Sequence, residues 1–253
     1  MFNRVIPTIL LRHGGVVKGQ RFRNHKYVGD PINIIKIFND KEVDELIILD
    51  IAATRSGVGP DFDLIQSFAS ECFMPLCYGG GITTLEQARQ LFSVGVEKIS
   101  LQSSAKKNPA LITEIAQEFG SQSVIISVDI TRNIFGKYKV YHAANQSTIS
   151  QNWLEYITKC VRLGAGELMI TSVQMEGLLD GLDLSLIKTA TDRVPVPIIA
   201  GGGVSSIEDI KLAVRNGASA VSVGSFFVFH GPHRAVLVTV PKREKIELAL
   251  GKL

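Results

Sequence analysis

The sequence predicts an α/β fold, a (β/α)8 or TIM barrel, and three observations carry that prediction. Short apolar runs rich in β-branched residues alternate with amphipathic stretches of helix length from one end of the chain to the other. Eight such runs in 253 residues suit a closed barrel better than an open doubly wound sheet. The third observation is an internal repeat. Gly79-Gly80-Gly81-Ile82-Thr83-Thr84-Leu85-Glu86 aligns with Gly201-Gly202-Gly203-Val204-Ser205-Ser206-Ile207-Glu208, and the register runs on ungapped through Gly95 with Gly217, Ser100 with Ser222 and Ser103 with Ser225.

In chain order, the first strand is read from Val5 to Leu11, followed by a long basic loop holding Lys18, Arg21, Arg23, His25 and Lys26. Pro31 to Phe38 has a helical pattern, with proline in the first turn where helices accept it. Strand 2 is Leu46 to Ile51 and strand 3 is Met74 to Tyr78, which runs into a triple glycine and the helix Leu85 to Ser93. Strand 4 is Lys98 to Leu101; strand 5, Val124 to Asp129, is followed by a hairpin insertion containing the strand Lys137 to Tyr141. Strands 6, 7 and 8 are Leu168 to Thr171, Val196 to Ala200 and Ala220 to Val223, with a helix from Ile207 to Asn216. The stretch from His230 to Pro241 reads as an extended strand whose free edge a partner can join. Val43-Asp44-Glu45-Leu46 echoes Ala165-Gly166-Glu167-Leu168 at the repeat offset, so 1–253 is read as one domain of two half-barrels, about 1–122 and 123–253.

Composition excludes several classes. Hydrophobic residues make up 45% and charged residues 20%, which is ordinary for a globular domain and not for a disordered chain. No run approaches the roughly 20 apolar residues of a membrane span. Met1-Phe2-Asn3-Arg4-Val5 lacks the layout of a cleaved signal, so a soluble cytoplasmic protein is expected. A net charge of +3, without a clustered patch, argues for no nucleic-acid partner. Cys72, Cys77 and Cys160 are odd in number and show no metal spacing, so they read as core or incidental thiols, and neither metal nor cofactor is expected.

Loops that follow the strands form the active face of such a barrel, and those after strands 7 and 8 commonly hold a phosphate. Gly202 and Gly203 follow strand 7, and Gly224 and Ser225 follow strand 8. Glycine lets the backbone approach an anion, and the N–H groups of the next helix point at it. The repeat puts Gly81 and Ser103 at the equivalent place across the barrel, so a ligand phosphorylated at both ends is expected. Lys18 and Gly177 complete the candidate binding set. Asp129 ends an otherwise apolar strand at the active face, where a carboxylate can do acid/base work or cap a turn. Asp50 ends strand 2 similarly, either ordering its loop or touching ligand. At the opposite end Arg4, Glu45, Lys98 and Glu167 lie at the starts of four strands, where they either converge on the barrel floor or form surface salt bridges.

From Arg4 to about Phe229 the sequence resembles HisF, the cyclase subunit of imidazole glycerol phosphate synthase. The resemblance rests on Gly15-Val16-Val17-Lys18-Gly19, Gly29-Asp30-Pro31, Asp44-Glu45-Leu46, Leu49-Asp50-Ile51, Gly79-Gly80-Gly81-Ile82, Asn108-Pro109, Phe119-Gly120-Ser121-Gln122, Gly164-Ala165-Gly166-Glu167 and Thr171-Ser172. It implies docking on a HisH-type glutaminase, passage of ammonia through the barrel and addition to a substrate with two phosphates. It also implies a gate of two basic and two acidic residues, matched here by Arg4, Lys98, Glu45 and Glu167. The family's cyclisation uses two aspartates; Asp129 matches one, and Leu10 stands at the other.

Other departures gather on the same face. Gln174 and Glu176 stand for the family's Asp-x-Asp, and Gln102-Ser103 for Asn-Thr. The pattern resembles a paralogous branch associated with surface polysaccharides, in which the barrel passes ammonia to a sugar amidotransferase. That reading is expected here, with two alternatives from other classes. One is a working cyclase in histidine biosynthesis. The other is an unrelated isomerase using a second acid/base group such as His142, which otherwise reads as an exposed hairpin histidine.

Overall fold

The computed structural model describes residues 3–149 and 151–251; Met1 and Phe2, part of the N-terminal stretch read above, and the last two residues of the 1–253 span lie outside them. Through the first half of the chain the elements are β1 (Arg4–Arg12), β2 (Gly15–Gln20), β3 (Arg23–Gly29), α1 (Pro31–Asp40), β4 (Leu46–Asp50), α2 (Ala53–Ser56), α3 (Phe62–Glu71), β5 (Leu76–Gly79), α4 (Leu85–Ser93), β6 (Lys98–Leu101), α5 (Ser103–Lys107) and α6 (Ala110–Phe119). They continue as β7 (Val124–Arg132), β8 (Tyr138–His142), β9 (Ser147–Ile149), α7 (Trp153–Arg162), β10 (Glu167–Ser172), α8 (Leu184–Thr191), β11 (Ile198–Gly201), α9 (Ile207–Arg215) and β12 (Ala220–Val223). Eight strands pair in parallel in the order β1-β4-β5-β6-β7-β10-β11-β12, and β12 pairs back onto β1 to close the barrel.

Local chemistry starts the helices where the sequence places them. Asp30 accepts from the Asn33 amide at 3.0 Å with Pro31 in the first turn of α1. The repeat-equivalent helices α4 and α9 both open on reciprocal capping boxes, Thr84 with Gln87 and Ser206 with Asp209. Each box satisfies two backbone donors that would otherwise be orphaned at the helix start.

Side chains alternate along a strand, so every second residue of the barrel strands faces the axis. One apolar layer inside the barrel is Ile6, Ile47, Cys77, Ile125, Met169, Ile199 and Ala220, a cluster separate from the larger core between strands and helices. Two residues further along, the inward positions turn polar. Thr8 Oγ1 lies 2.7 Å from Ser222 Oγ, and Ser100 Oγ lies 2.6 Å from Ser127 Oγ. Leu10, Gln102 and Asp129 come one step later, at the mouth.

Three expectations need correction. The long first loop is the antiparallel hairpin β2–β3, an extension of β1, because Leu10 to Arg12 pair with Gly15 to Val17 across a tight turn with His13 and Gly14 at positive φ. Strand 5 does not stop at Asp129, since β7 continues to Arg132 as one side of the hairpin with β8. The C-terminal stretch is not a free-edged strand: only β13 (Phe229–His230) and β14 (Ala235–Val236) pair as strands. The Leu237 and Thr239 amides then donate to the Val228 and Phe227 carbonyls at 2.9 Å, so that backbone is already engaged. A last helix, α10 (Arg243–Ala249), follows because Val238, Val240, Ile246 and Leu250 pack onto the core while Arg243 and Glu247 pair at 2.9 Å on its outer side.

Candidate functional site

The four charged residues at the strand starts converge on one ring. Arg4 Nη1 lies 2.5 Å from Glu45 Oε2, and Arg4 Nη2 pairs with Glu167. Lys98 Nζ lies 3.0 and 2.9 Å from the two Glu45 oxygens and 3.3 Å from Glu167 Oε2. Each carboxylate thus meets both cations, and the glutamates are buried while Arg4 and Lys98 keep about a fifth to a quarter of their side chains exposed. Burial alone would push the Arg4 guanidinium down, but the Glu167 and Glu45 carboxylates outweigh it and hold it above its usual value. Alternation explains the convergence: Glu45, Glu167 and Arg4 are two positions below the inward Ile47, Met169 and Ile6. These are not separate surface salt bridges.

At the other end the barrel opens into a cavity of about 770 Å3. Leu10, Lys18, Gly81, Ser103, Asp129 and Gly224 line it. An adjoining small recess is lined by Gly177, Gly202, Gly203, Gly224 and Ser225. Part of that glycine content serves the backbone: Gly203 has φ +106°, and a Cβ there would lie 2.0 Å from the Gly181 carbonyl oxygen. The observation that points to a ligand is Ser225, whose buried Oγ has no hydrogen-bond partner. Beside it, Lys18 is 2% exposed, and its ammonium makes no hydrogen bond among the described residues. Burial lowers the Lys18 pKa, partly offset by the Glu176 carboxylate. A Cβ on Gly224 would sit 2.2 Å from Lys18 Nζ, so glycine there is what lets the lysine reach the recess.

Asp129 is buried and accepts from Gln102 Nε2 at 2.5 Å. Burial pushes its carboxyl from 3.8 up to about 7, opposed by the Gln102 bond and supported by the charge of Glu176. A carboxyl poised there can both give and take a proton near neutrality. Its burial also has a cost. From pH 3.8 to about 7 the unfolded chain ionises while the folded one holds its proton, so stability falls as pH rises through that window. Asp129→Asn should therefore raise stability at pH 8 by at most about 4 kcal/mol, seen as a higher unfolding temperature, and change it little at pH 4. Thermal unfolding at both pH values checks this; an equal shift at both would contradict the buried, protonated carboxyl.

Asp50 orders its loop, accepting from the Ala52 and Ala53 amides at 2.8 and 3.0 Å, although it also borders the cavity. His142 is neither exposed nor part of the cavity lining. Its Nδ1 is buried without a partner, and burial with Lys106 and Lys107 nearby lowers its pKa, so it offers no second acid/base group to the pocket. Gln174 and Glu176 seat the first loop: the Arg21 amide donates to the Glu176 carbonyl at 2.8 Å and Arg21 Nε to the Gln174 carbonyl at 3.1 Å. Sequence reading missed the Gln102–Asp129 pair and the inner hydroxyl pairs. The polar residues at inward positions of apolar strands were the available signal for the latter.

A closed barrel with a charged ring across its floor and a deep, glycine-bordered pocket at its mouth defines a class of repeat-built (β/α)8 barrels with separate working ends. The model of the histidine biosynthesis protein family matches residues 4–233. A protein of Pseudomonas aeruginosa provisionally named imidazole glycerol phosphate synthase subunit hisF2 is 47% identical over 246 residues, 97% of this chain and 98% of that one. A similarly provisional HisF of Leptospira interrogans is 43% identical over 248 residues, 96% and 97% of the two chains. The imidazole glycerol phosphate synthase subunit HisF of Exiguobacterium sibiricum is 37% identical over 227 residues, 90% and 91%. The chain belongs to the histidine biosynthesis protein family, among its HisF-like barrels. Among the described residues, no helix is long and apolar enough to cross a membrane.

Proposed function

We propose that this barrel is the synthase subunit of a glutamine-dependent amidotransferase. It receives ammonia from a HisH-type glutaminase at the floor and delivers it at the mouth, to a separate sugar amidotransferase, instead of cyclising a ribonucleotide itself. One contrast carries the reading: the floor keeps all four members of its charged ring, while the mouth has Leu10 where cyclisation needs a second carboxylate. A leucine cannot move a proton, and loss of one member of such a pair costs about 10²–10⁴ in rate. Above the ring, the apolar layer of Ile6, Ile47, Cys77 and Met169 suits neutral ammonia and disfavours ammonium. The hydroxyl pairs above it offer hydrogen bonds on the way to the pocket. That the acceptor is a surface-polysaccharide sugar rests on the resemblance, and a cytoplasmic site of action goes with it.

The test is turnover of the purified chain with ammonium salt at high pH on the family's two-phosphate aminoimidazole ribonucleotide, followed by loss of substrate absorbance. No turnover is expected. Turnover near about one per second, an ordinary enzyme rate, would overturn the reading in favour of a cyclase in histidine biosynthesis. Asp129 titrating near neutrality and the unpartnered Ser225 hydroxyl favour that second reading.

A further inference from the structure

The pocket mouth carries two guanidinium groups and an imidazole that neither the phosphate loops nor the floor ring uses. Arg12 at the end of β1, His25 on β3 and Arg55 in α2 border it from three different elements. The Arg12 side chain makes no ion pair or hydrogen bond among the described residues. Arg55 is held in place: Nε donates to the Ala144 carbonyl at 3.1 Å and Nη2 to the Ala143 carbonyl at 2.7 Å, which fixes the guanidinium plane and leaves Nη1 unbonded. The His25 ring rests on Gly19, where a Cβ would lie 3.0 Å from Cδ2. Burial first, then the charges of Arg12, Arg55 and Lys18, push the imidazole below its usual 6.5, so it adds a neutral N–H donor. Acidic side chains bordering the same cavity are engaged elsewhere, Asp50 on its loop amides, Asp129 with Gln102 and Glu176 beside Lys18.

We infer that Arg12, His25 and Arg55 form a carboxylate-binding subsite at the mouth, so that the pocket takes a small phosphorylated carboxylic acid. Two guanidinium groups and one neutral donor match a monoanion with two oxygens, and a planar fork fixed beforehand loses little freedom on binding it. Like charges gathered without a counter-ion repel one another, and a bound anion relieves that repulsion. The subsite shares no residue with the loops of Gly81 and Ser103 or of Gly202, Gly203 and Ser225. It rests on the pocket being a ligand site, and not on the ammonia reading.

His25 is a local reporter in 1H–15N spectra of the histidine side chains, its signal assigned by loss in His25→Gln. D-glucuronate should shift that signal saturably and raise the His25 pKa, and D-glucose should do neither. Arg55→Gln should weaken glucuronate about tenfold or more, the usual scale for losing a charged hydrogen bond. Ser225→Ala should weaken inorganic phosphate and leave glucuronate affinity within about twofold, since independent sites do not couple. No saturable shift, equal affinity in Arg55→Gln, or a His25 response to phosphate but not glucuronate would overturn the carboxylate subsite. Phosphate affinity unchanged in Ser225→Ala would overturn the phosphate recess alone, and glucuronate binding intact in that variant still supports the mouth.

Discussion

Replacing Glu45 by alanine is expected to remove glutamine-driven amidation by the reconstituted complex, by about tenfold or more, while activity driven by added ammonium is kept. Glu45 is one of the two carboxylates that both cations share, with Arg4 at 2.5 Å and Lys98 at 2.9 Å. Without it, Arg4 and Lys98 retain only Glu167, and the ring no longer closes. On the proposed reading, an open ring admits water and lets ammonia leave before it reaches the apolar layer. Breaking a buried pair also costs about 3–5 kcal/mol, here toward the lower figure because the two cations are partly solvated. Glu45→Gln separates the two effects, because the amide keeps the shape of the ring and a hydrogen-bonding oxygen but removes its charge. The decisive readout is the ratio of the two nitrogen sources, measured beside the unfolding midpoint. Equal loss with glutamine and ammonium would assign the ring to stability alone.

How much of this was legible in the sequence follows from which interactions are local. Barrel strands announce themselves because a strand buried on both faces must be continuously apolar, as Leu46-Ile47-Ile48-Leu49 is. Helix starts at Asp30, Thr84 and Ser206 were readable because a cap and its partner lie three residues apart. The floor ring was readable only as four charges at strand starts; its closure joins residues up to 163 apart in sequence, which spacing cannot decide. The C-terminal stretch misled for a related reason. Ala235-Val236-Leu237-Val238 has strand composition, but Ala235 and Val236 pair only with the two-residue strand Phe229–His230 and the Leu237 amide donates to the Val228 carbonyl, acceptors that no pattern identifies. Arg55 carried no signal at all, since its role depends on two carbonyls 88 and 89 residues away.

Leu10→Asp is expected to bring cyclase turnover from undetectable to measurable, provided that the ribonucleotide still enters the pocket. Position 10 faces the axis two residues beyond Thr8 and borders the same cavity as Asp129, so a carboxylate there points at the space where Asp129 already lies. Asp129 is burdened by burial and titrates near 7; a second, more exposed carboxylate at position 10 would ionise at lower pH. Two carboxyls with separated titrations are what acid and base roles require at one pH. The gain is bounded by the about 10²–10⁴-fold that one general acid or base supplies. Leu10 is only half-buried, so the substitution should cost no more than the ordinary about 1–3 kcal/mol. Turnover and substrate binding by calorimetry must be read together. Binding without turnover in Leu10→Asp would mean that Gln102 on Asp129 and Glu176 beside Lys18 have reshaped the site beyond repair by one residue. Regained turnover would mean that Leu10 alone separates this barrel from a cyclase.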